Sequence, residues 1–253
     1  MSFSSIGTSL IGLLFLFAFL GLMVGFSLIR RDHPNRDLRE IPSFARLRRA
    51  IGLAVEAGQR LHIALGDGGI QGQRGGPGLI GLSVVQRVAR TAAINDRPPT
   101  ASSGEATLAI LSQDVLREGY REVGAENRFD PAAGQLSGLT SFSFAAGALP
   151  VIYDQQVAVN LIIGSFGSEV ALLADAAERT ESLTIGGSDN LAAQAILLAS
   201  SQEPLIGEEL FAAGAYLQVN KMHTASLFAQ DVLRWVLIVI LLIGATSKFL
   251  GLI

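Results

Sequence analysis

The chain has 253 residues, of which 49% are hydrophobic and 16% charged, with a formal net charge of −3 and no cysteine. A mean hydropathy of +0.43 is too apolar for an ordinary soluble domain of this length and points to membrane segments. The charge balance offers no footprint for nucleic acid, and the missing cysteines exclude disulfides, thiolate catalysis and cysteine-bound metal.

Ile6 to Ile29 ("IGTSLIGLLFLFAFLGLMVGFSLI") carries no charge. At about 1.5 Å per residue it is long enough for a hydrocarbon core of about 30 Å, so the expectation is a transmembrane helix over 6–29. A cleaved signal peptide would have a basic start, a shorter apolar stretch and a small-residue cleavage site. The basic residues come afterwards instead: Arg30, Arg31, Arg36, Arg39, Arg46, Arg48 and Arg49, against Asp32, Asp37 and Glu40. By the positive-inside rule residue 30 onward faces the cytoplasm, which predicts a cytoplasmic domain over 30–231. Within the first span "GLMVG" (Gly21 to Gly25) has the small-xxx-small spacing of close helix pairs.

After Pro42, "SFARLRRAIGLAVEAG" places Phe44, Leu47, Ile51 and Val55 at helical spacing, with Ser43 as N-cap and Gly58 as stop. Its polar face is basic, either simply solvated or able to touch anionic headgroups through Arg46, Arg48 and Arg49. "RLHIALG" (60–66) reads as a buried strand, and a glycine-rich loop then leads into a helix over about 79–94. Pro98 and Pro99 break the chain, and "SSGE" (Ser102 to Glu105) has capping-box spacing ahead of the helix "ATLAILSQDVLREGYREVG". "LTSFSF" (139–144) alternates like a strand. "VAVNLIIG" (157–164) is strand sequence, followed by a helix that Ser168 can cap; "SLTIGG" (182–187) repeats the pattern, with Ser188 or Asp189 as cap.

Past Pro204 the chain reads as helical most of the way into a second anchor, where Arg234 and Trp235 mark an interface and Val236–Ser247 is uncharged. A transmembrane helix over 232–253 is expected, with a helix lying in the interface as the alternative. The recurring order of strand, small residues and helix predicts an α/β domain with a mainly parallel sheet and helices on both faces, Rossmann-like, flanked by the two anchors.

In such a sheet the loops leaving the carboxyl ends of the strands line one edge. That edge would carry the loop beginning Gly66, Asp67, Gly68, Gly69 and reaching Arg74, the turn at Gly164 and Ser165, and the turn at Gly186, Gly187, Ser188 and Asp189. These are the candidate ligand-binding residues, because backbone amides at helix starts attract anions and Arg74 is the one charged side chain able to close over one. Short strand–helix turns also need glycine and cap residues for steric reasons alone. The first loop departs from the dinucleotide fingerprint, since its third glycine position holds Gln71, and no lysine precedes Lys221, which excludes a P-loop.

His33, His62 and His223 are far apart and form no metal-ligand spacing, so no metal is expected, and His62 reads as a core residue. There is no G-x-S-x-G elbow. Asp67, Asp154, Asp189, Glu203, Glu208 and Glu209 are the carboxylates left for chemistry, each with a capping or surface role as its alternative. No catalytic residue and no cofactor is assigned.

"SSQEPLIGEELFAAGAYL" (200–217), with the glycine-terminated strands before it and an anchor at each end, resembles an uncharacterised family of prokaryotic two-span membrane proteins known as a domain of unknown function. The resemblance implies the architecture and carries no catalytic motif. The expectation is a bacterial inner-membrane protein holding a non-enzymatic binding or assembly module, which senses a small anionic or nucleotide-like ligand at the glycine edge. A ligand-free oligomerising scaffold and an enzyme acting on a phosphorylated small molecule remain the alternatives. Expected partners are the lipid bilayer, further copies of the chain or other membrane proteins, and the small anion; nucleic acid is not among them.

Overall fold

The structure is a computed structural model describing residues 3–29, 38–71, 75–93 and 95–251. In chain order its elements are α1 (Phe3–Ile29), α2 (Pro42–Glu56), β1 (Arg60–Gly66), α3 (Gly75–Ala92), β2 (Thr100–Ser103), α4 (Ala106–Glu122), β3 (Gly134–Leu136), α5 (Ser141–Asp154), β4 (Val157–Ser165), α6 (Val170–Arg179), β5 (Leu183–Ser188), α7 (Leu191–Ser200), β6 (Glu203–Leu205), α8 (Glu209–Tyr216) and α9 (Lys221–Phe249). They form two units, one built on the end helices and the other spanning Arg39–Val219.

In the Arg39–Val219 unit all strands are parallel, in the order β3-β2-β1-β4-β5-β6. This is the doubly wound α/β arrangement, with its switch point between β1 and β4. The central strands β1, β4 and β5 are apolar and buried on both sides, as a sheet covered by helices on both faces requires. Helices α5, α6 and α7 cover one face over a core of Ala64, Phe144, Ile152, Ile162, Phe166 and Leu173. Helices α2, α3, α4 and α8 cover the other, where Phe44, Leu47, Leu65, Val85 and Leu161 are wholly buried.

Several local expectations are corrected. "LTSFSF" is not a strand: Thr140 and Ser143 form a reciprocal capping box, so 141–144 is the first turn of α5, with Phe144 buried and Phe142 at the surface. Ser102 and Ser103 belong to β2, and Glu105 alone caps α4 by accepting from the Leu108 amide. Pro42 opens α2 with Ile41 at the cap position in place of Ser43. Asn190 caps α7, its side chain accepting from the Ala192 amide, and α6 starts behind Glu169 without a side-chain cap from Ser168. The stretch after Pro204 is not one helix. It forms β6 and α8, breaks at Leu217–Asn220 where Gln218 has φ +55°, and restarts as α9 behind Asn220.

Two of the three α2 arginines, although exposed, bond partners in their own unit. Arg46 pairs with the buried Glu203 of β6, and Arg48 donates to the Tyr216 carbonyl at 3.3 Å, while the Tyr216 ring stacks on Phe44 at 4.9 Å. Arg49 is exposed as well. Arg30, Arg31, Arg36 and His33 lie outside the described residues.

In the other unit α1 and α9 pack side by side, with Phe26 meeting Phe228 at 5.9 Å. Both are long and apolar enough to cross a membrane. Their outward faces are apolar, with Leu14 and Leu241 more than two-thirds exposed.

The packing of α3 on the sheet makes a direct prediction. A Cβ on Gly81 would lie 2.6 Å from the Ile163 carbonyl and 2.7 Å from Leu65, whereas one on Gly52, inside α2, would meet nothing within 4 Å. Gly81→Ala should lower unfolding free energy by about 1–3 kcal/mol, and Gly52→Ala should raise it by about 0.5–1 kcal/mol, in chemical unfolding of the full chain.

Candidate functional site

Because β1, β4 and β5 are parallel neighbours, the three small-residue turns leave the same edge of the sheet. The glycines there do different things. Gly66 has φ +76°, and a Cβ on it would sit 2.0 Å from the Ser165 carbonyl; one on Gly164 would sit 2.0 Å from that of Leu65. The two backbones pass too closely for any side chain. Gly186 makes room for Leu197, which a Cβ would approach to 2.5 Å, and Gly187 packs on Leu205.

The turns after β4 and β5 satisfy part of their amides internally. Phe166 N donates to the buried Ser188 hydroxyl at 3.1 Å, Gly167 N to the buried Glu169 carboxylate at 2.7 Å, and Asn190 N to Ser188 Oγ at 3.4 Å. The Gln194 amide donates to the Ser188 carbonyl at 3.0 Å. Ser165 is buried and its carbonyl accepts from Asp67 N at 3.2 Å. Asp189 is exposed at the tip. Amides already engaged in this way are not open to a ligand.

The β1–α3 loop differs. The Gly66 carbonyl accepts from Gly104 N at 2.8 Å, joining this loop to the end of β2, and the Asp67 carboxylate accepts from Ser141 at the start of α5. The amides of Gly68, Gly69, Ile70 and Gln71 donate to no other described residue. Gly72 and Arg74 lie outside the described residues. Where α3 begins, a Cβ on Gly75 would lie 2.2 Å from the Ile70 carbonyl.

Sequence reasoning missed Glu105. It stands at the end of β2, with its Cγ 3.5 Å from where a Gly69 side chain would begin. Burial pushes its carboxyl up, but bonds from the Thr107 and Leu108 amides and the Thr107 hydroxyl outweigh this and hold it below the usual range. Its signal was present in "SSGE", once β2 is known to end at Ser103. Ser141 and Glu169, which close the neighbouring loops, carried no local signal. Asp67 and Asp189 are not brought together: β4 separates their strands, leaving about 10 Å of sheet between them.

Among the described residues no group of three or more His, Asp or Glu side chains is placed to hold a metal ion. His62, in the middle of β1, is wholly buried between two strands. Its Nδ1 bonds Asn160 Oδ1 at 2.7 Å and its Nε2 bonds the Ser102 hydroxyl at 2.8 Å. With Nδ1–H donating and Nε2 accepting, the neutral ring is fully paired. Burial pushes its pKa down to about 4, against a small opposing effect of Asn160. The unfolded chain therefore binds the extra proton first as pH falls through about 6.5. Stability should be level above that pH and fall by about 3 kcal/mol down to pH 4, at roughly 1.4 kcal/mol per pH unit. Unfolding at a series of pH values should show this slope, and His62→Gln should make it shallower, leaving the smaller contribution of His223.

A model of one family, a domain of unknown function (DUF6754), matches residues 5–252. No curated protein and no solved structure matches the chain. The family match takes in both apolar end helices and the whole doubly wound unit between them, so the chain belongs to the DUF6754 family.

Proposed function

We propose that this protein is a membrane-anchored binding module that holds a small anionic, nucleotide-like ligand in the β1–α3 loop, without catalysing a reaction. The observation that supports the reading is a run of four consecutive amides at the switch point, Gly68 to Gln71, that meet no acceptor among the described residues and precede the N-terminus of α3, whereas Phe166, Gly167 and Asn190 N in the neighbouring turns donate to internal acceptors. The steric duties of a dinucleotide loop are also met, at longer spacing. Gly66 makes the tight turn at φ +76°, and Gly81 lets the helix close on the sheet beside Ile163. Glu105 adds an acceptor for ligand hydroxyls beside Gly69.

In this reading α1 and α9 cross the bacterial inner membrane and the α/β unit lies in the cytoplasm, the side favoured by the arginines after α1. A thermal-shift series on the detergent-solubilised full chain with mono- and dinucleotides, sugar phosphates and inorganic phosphate tests the ligand. A nucleotide should raise the melting temperature by several degrees, and changing Gly68 and Gly69 together to Ala should abolish the rise. A folded protein that none of these compounds stabilises overturns the proposal.

A second observation favours self-association alongside ligand binding. Among the described residues, Cβ atoms on Gly21 and Gly25 would meet nothing within 4 Å, so the "GLMVG" face of α1 is not used against α9. Gly21→Leu with Gly25→Leu should convert an oligomer to single chains in light scattering of the solubilised protein, and a wild-type monomer would refute this reading.

A further inference from the structure

The helical unit contains a groove of about 520 Å³ between α1 and α9, within the range of about 300–1,000 Å³ typical of small-ligand sites. Its walls are not uniform. Phe15 and Phe19 of α1, with Leu237 and Leu241 of α9, make an apolar body, and Gln230 and Arg234 stand at one end. On α9 the spacings 230, 234, 237 and 241 put these four side chains along one helix face, over about 16 Å of axis. The groove is therefore amphipathic along its length, polar where α9 begins and apolar toward its end.

The depth of the polar end is set by the sequence of α9. Arg234 is its last charged residue before the uncharged Trp235–Ser247 stretch, and the Trp235 ring beside it is two-thirds exposed, as in the aromatic belt of a membrane protein. The α1 helix has no charged residue from Phe3 to Ile29, so among the described residues Arg234 is the one cation lining the groove. Asp231, one turn earlier on α9, is 4.0 Å from the guanidinium and does not line the groove. Half of the Arg234 side chain remains exposed despite that contact.

We propose that this groove binds one phospholipid with an anionic headgroup, its phosphate on Arg234 and Gln230 and an acyl chain along Phe15, Phe19, Leu237 and Leu241. An aromatic-walled slot beside a single guanidinium matches a molecule that is apolar over most of its length and negative at one end. A zwitterionic lipid brings its own cation into the same space and loses that advantage. The site is separate from the β1–α3 loop and rests on the reading that both helices cross a bilayer.

Native mass spectrometry of the full chain in detergent, titrated with phosphatidylglycerol and with phosphatidylcholine of the same acyl chains, tests it. One phosphatidylglycerol should be retained per chain, with about a fivefold preference over phosphatidylcholine, the factor expected from one basic residue at a lipid surface. Arg234→Gln should remove the preference while leaving acyl binding, and Leu237→Trp, which fills the slot at an exposed position, should remove retention of both lipids. Equal retention of the two lipids by the wild type overturns the proposal, as does a preference that survives Arg234→Gln or a groove occupied by a second copy of the chain. Extraction in alkaline carbonate separates the failures: a chain released from membranes overturns the spanning reading as well, and an integral chain without lipid preference overturns this proposal alone.

Discussion

The near-contact of the β1 and β4 backbones at their carboxyl ends is the constraint on which the α/β unit depends. Gly66 faces the Ser165 carbonyl and Gly164 faces that of Leu65, each at a distance where no Cβ fits, and Gly81 brings α3 down onto Ile163 beside them. Parallel strands meet side by side only through crossover connections, so joining β1 to β4 forces the chain to build outward in both directions from that seam. Strands β2 and β3 extend one way under α3 and α4, and β5 and β6 extend the other way with α6 and α7. The crevice at the switch point is a consequence of this seam.

The carboxyl edge divides into a part that is closed and a part that is open. Ser188 and Glu169 are buried polar side chains whose role is to accept the amides that β4 and β5 would otherwise leave unpaired, since an unpaired buried donor costs about 1–3 kcal/mol. In the β1–α3 loop Asp67 N donates to the Ser165 carbonyl, whereas the amides of Gly68 to Gln71 meet no acceptor among the described residues. Deeper in the sheet, Ser102, His62 and Asn160 form a polar row across three strands. With both ring nitrogens occupied and no exposure, His62 aligns strands and has no access to a substrate.

Both ends of the α/β unit are tied down at the residues where the chain enters and leaves it. Tyr216 donates its hydroxyl to the Arg39 carbonyl, Arg39 pairs with Glu209 at 3.3 Å, and Arg90 donates to the Val219 carbonyl at 3.4 Å. On the exposed face of α2, Arg46 also pairs with the buried Glu203 of β6. Such ties give a domain joined to apolar helices at both ends defined exit points.

Local chemistry determined much of this molecule. The charge-free stretch over 6–29 specifies α1, the uncharged run between Arg234 and Lys248 specifies the apolar part of α9, apolar segments that end in glycine specify the buried strands β1, β4 and β5, and helical spacing of apolar residues specifies α2, α3 and α4. Those signals lie within a few residues of one another and need no partner to be read. Tertiary structure alone decided the rest. Strands β2, β3 and β6 are three or four residues long, and "TASS", "GQL" and "EPL" become strands only because a neighbour supplies their hydrogen bonds. Whether a glycine turns the chain, admits another backbone or leaves an amide open depends on atoms far away in sequence, as Gly81 depends on Ile163 and Gly66 on Ser165. The same holds for Glu105, whose place beside the glycine loop follows from strand order, a property that no local pattern encodes.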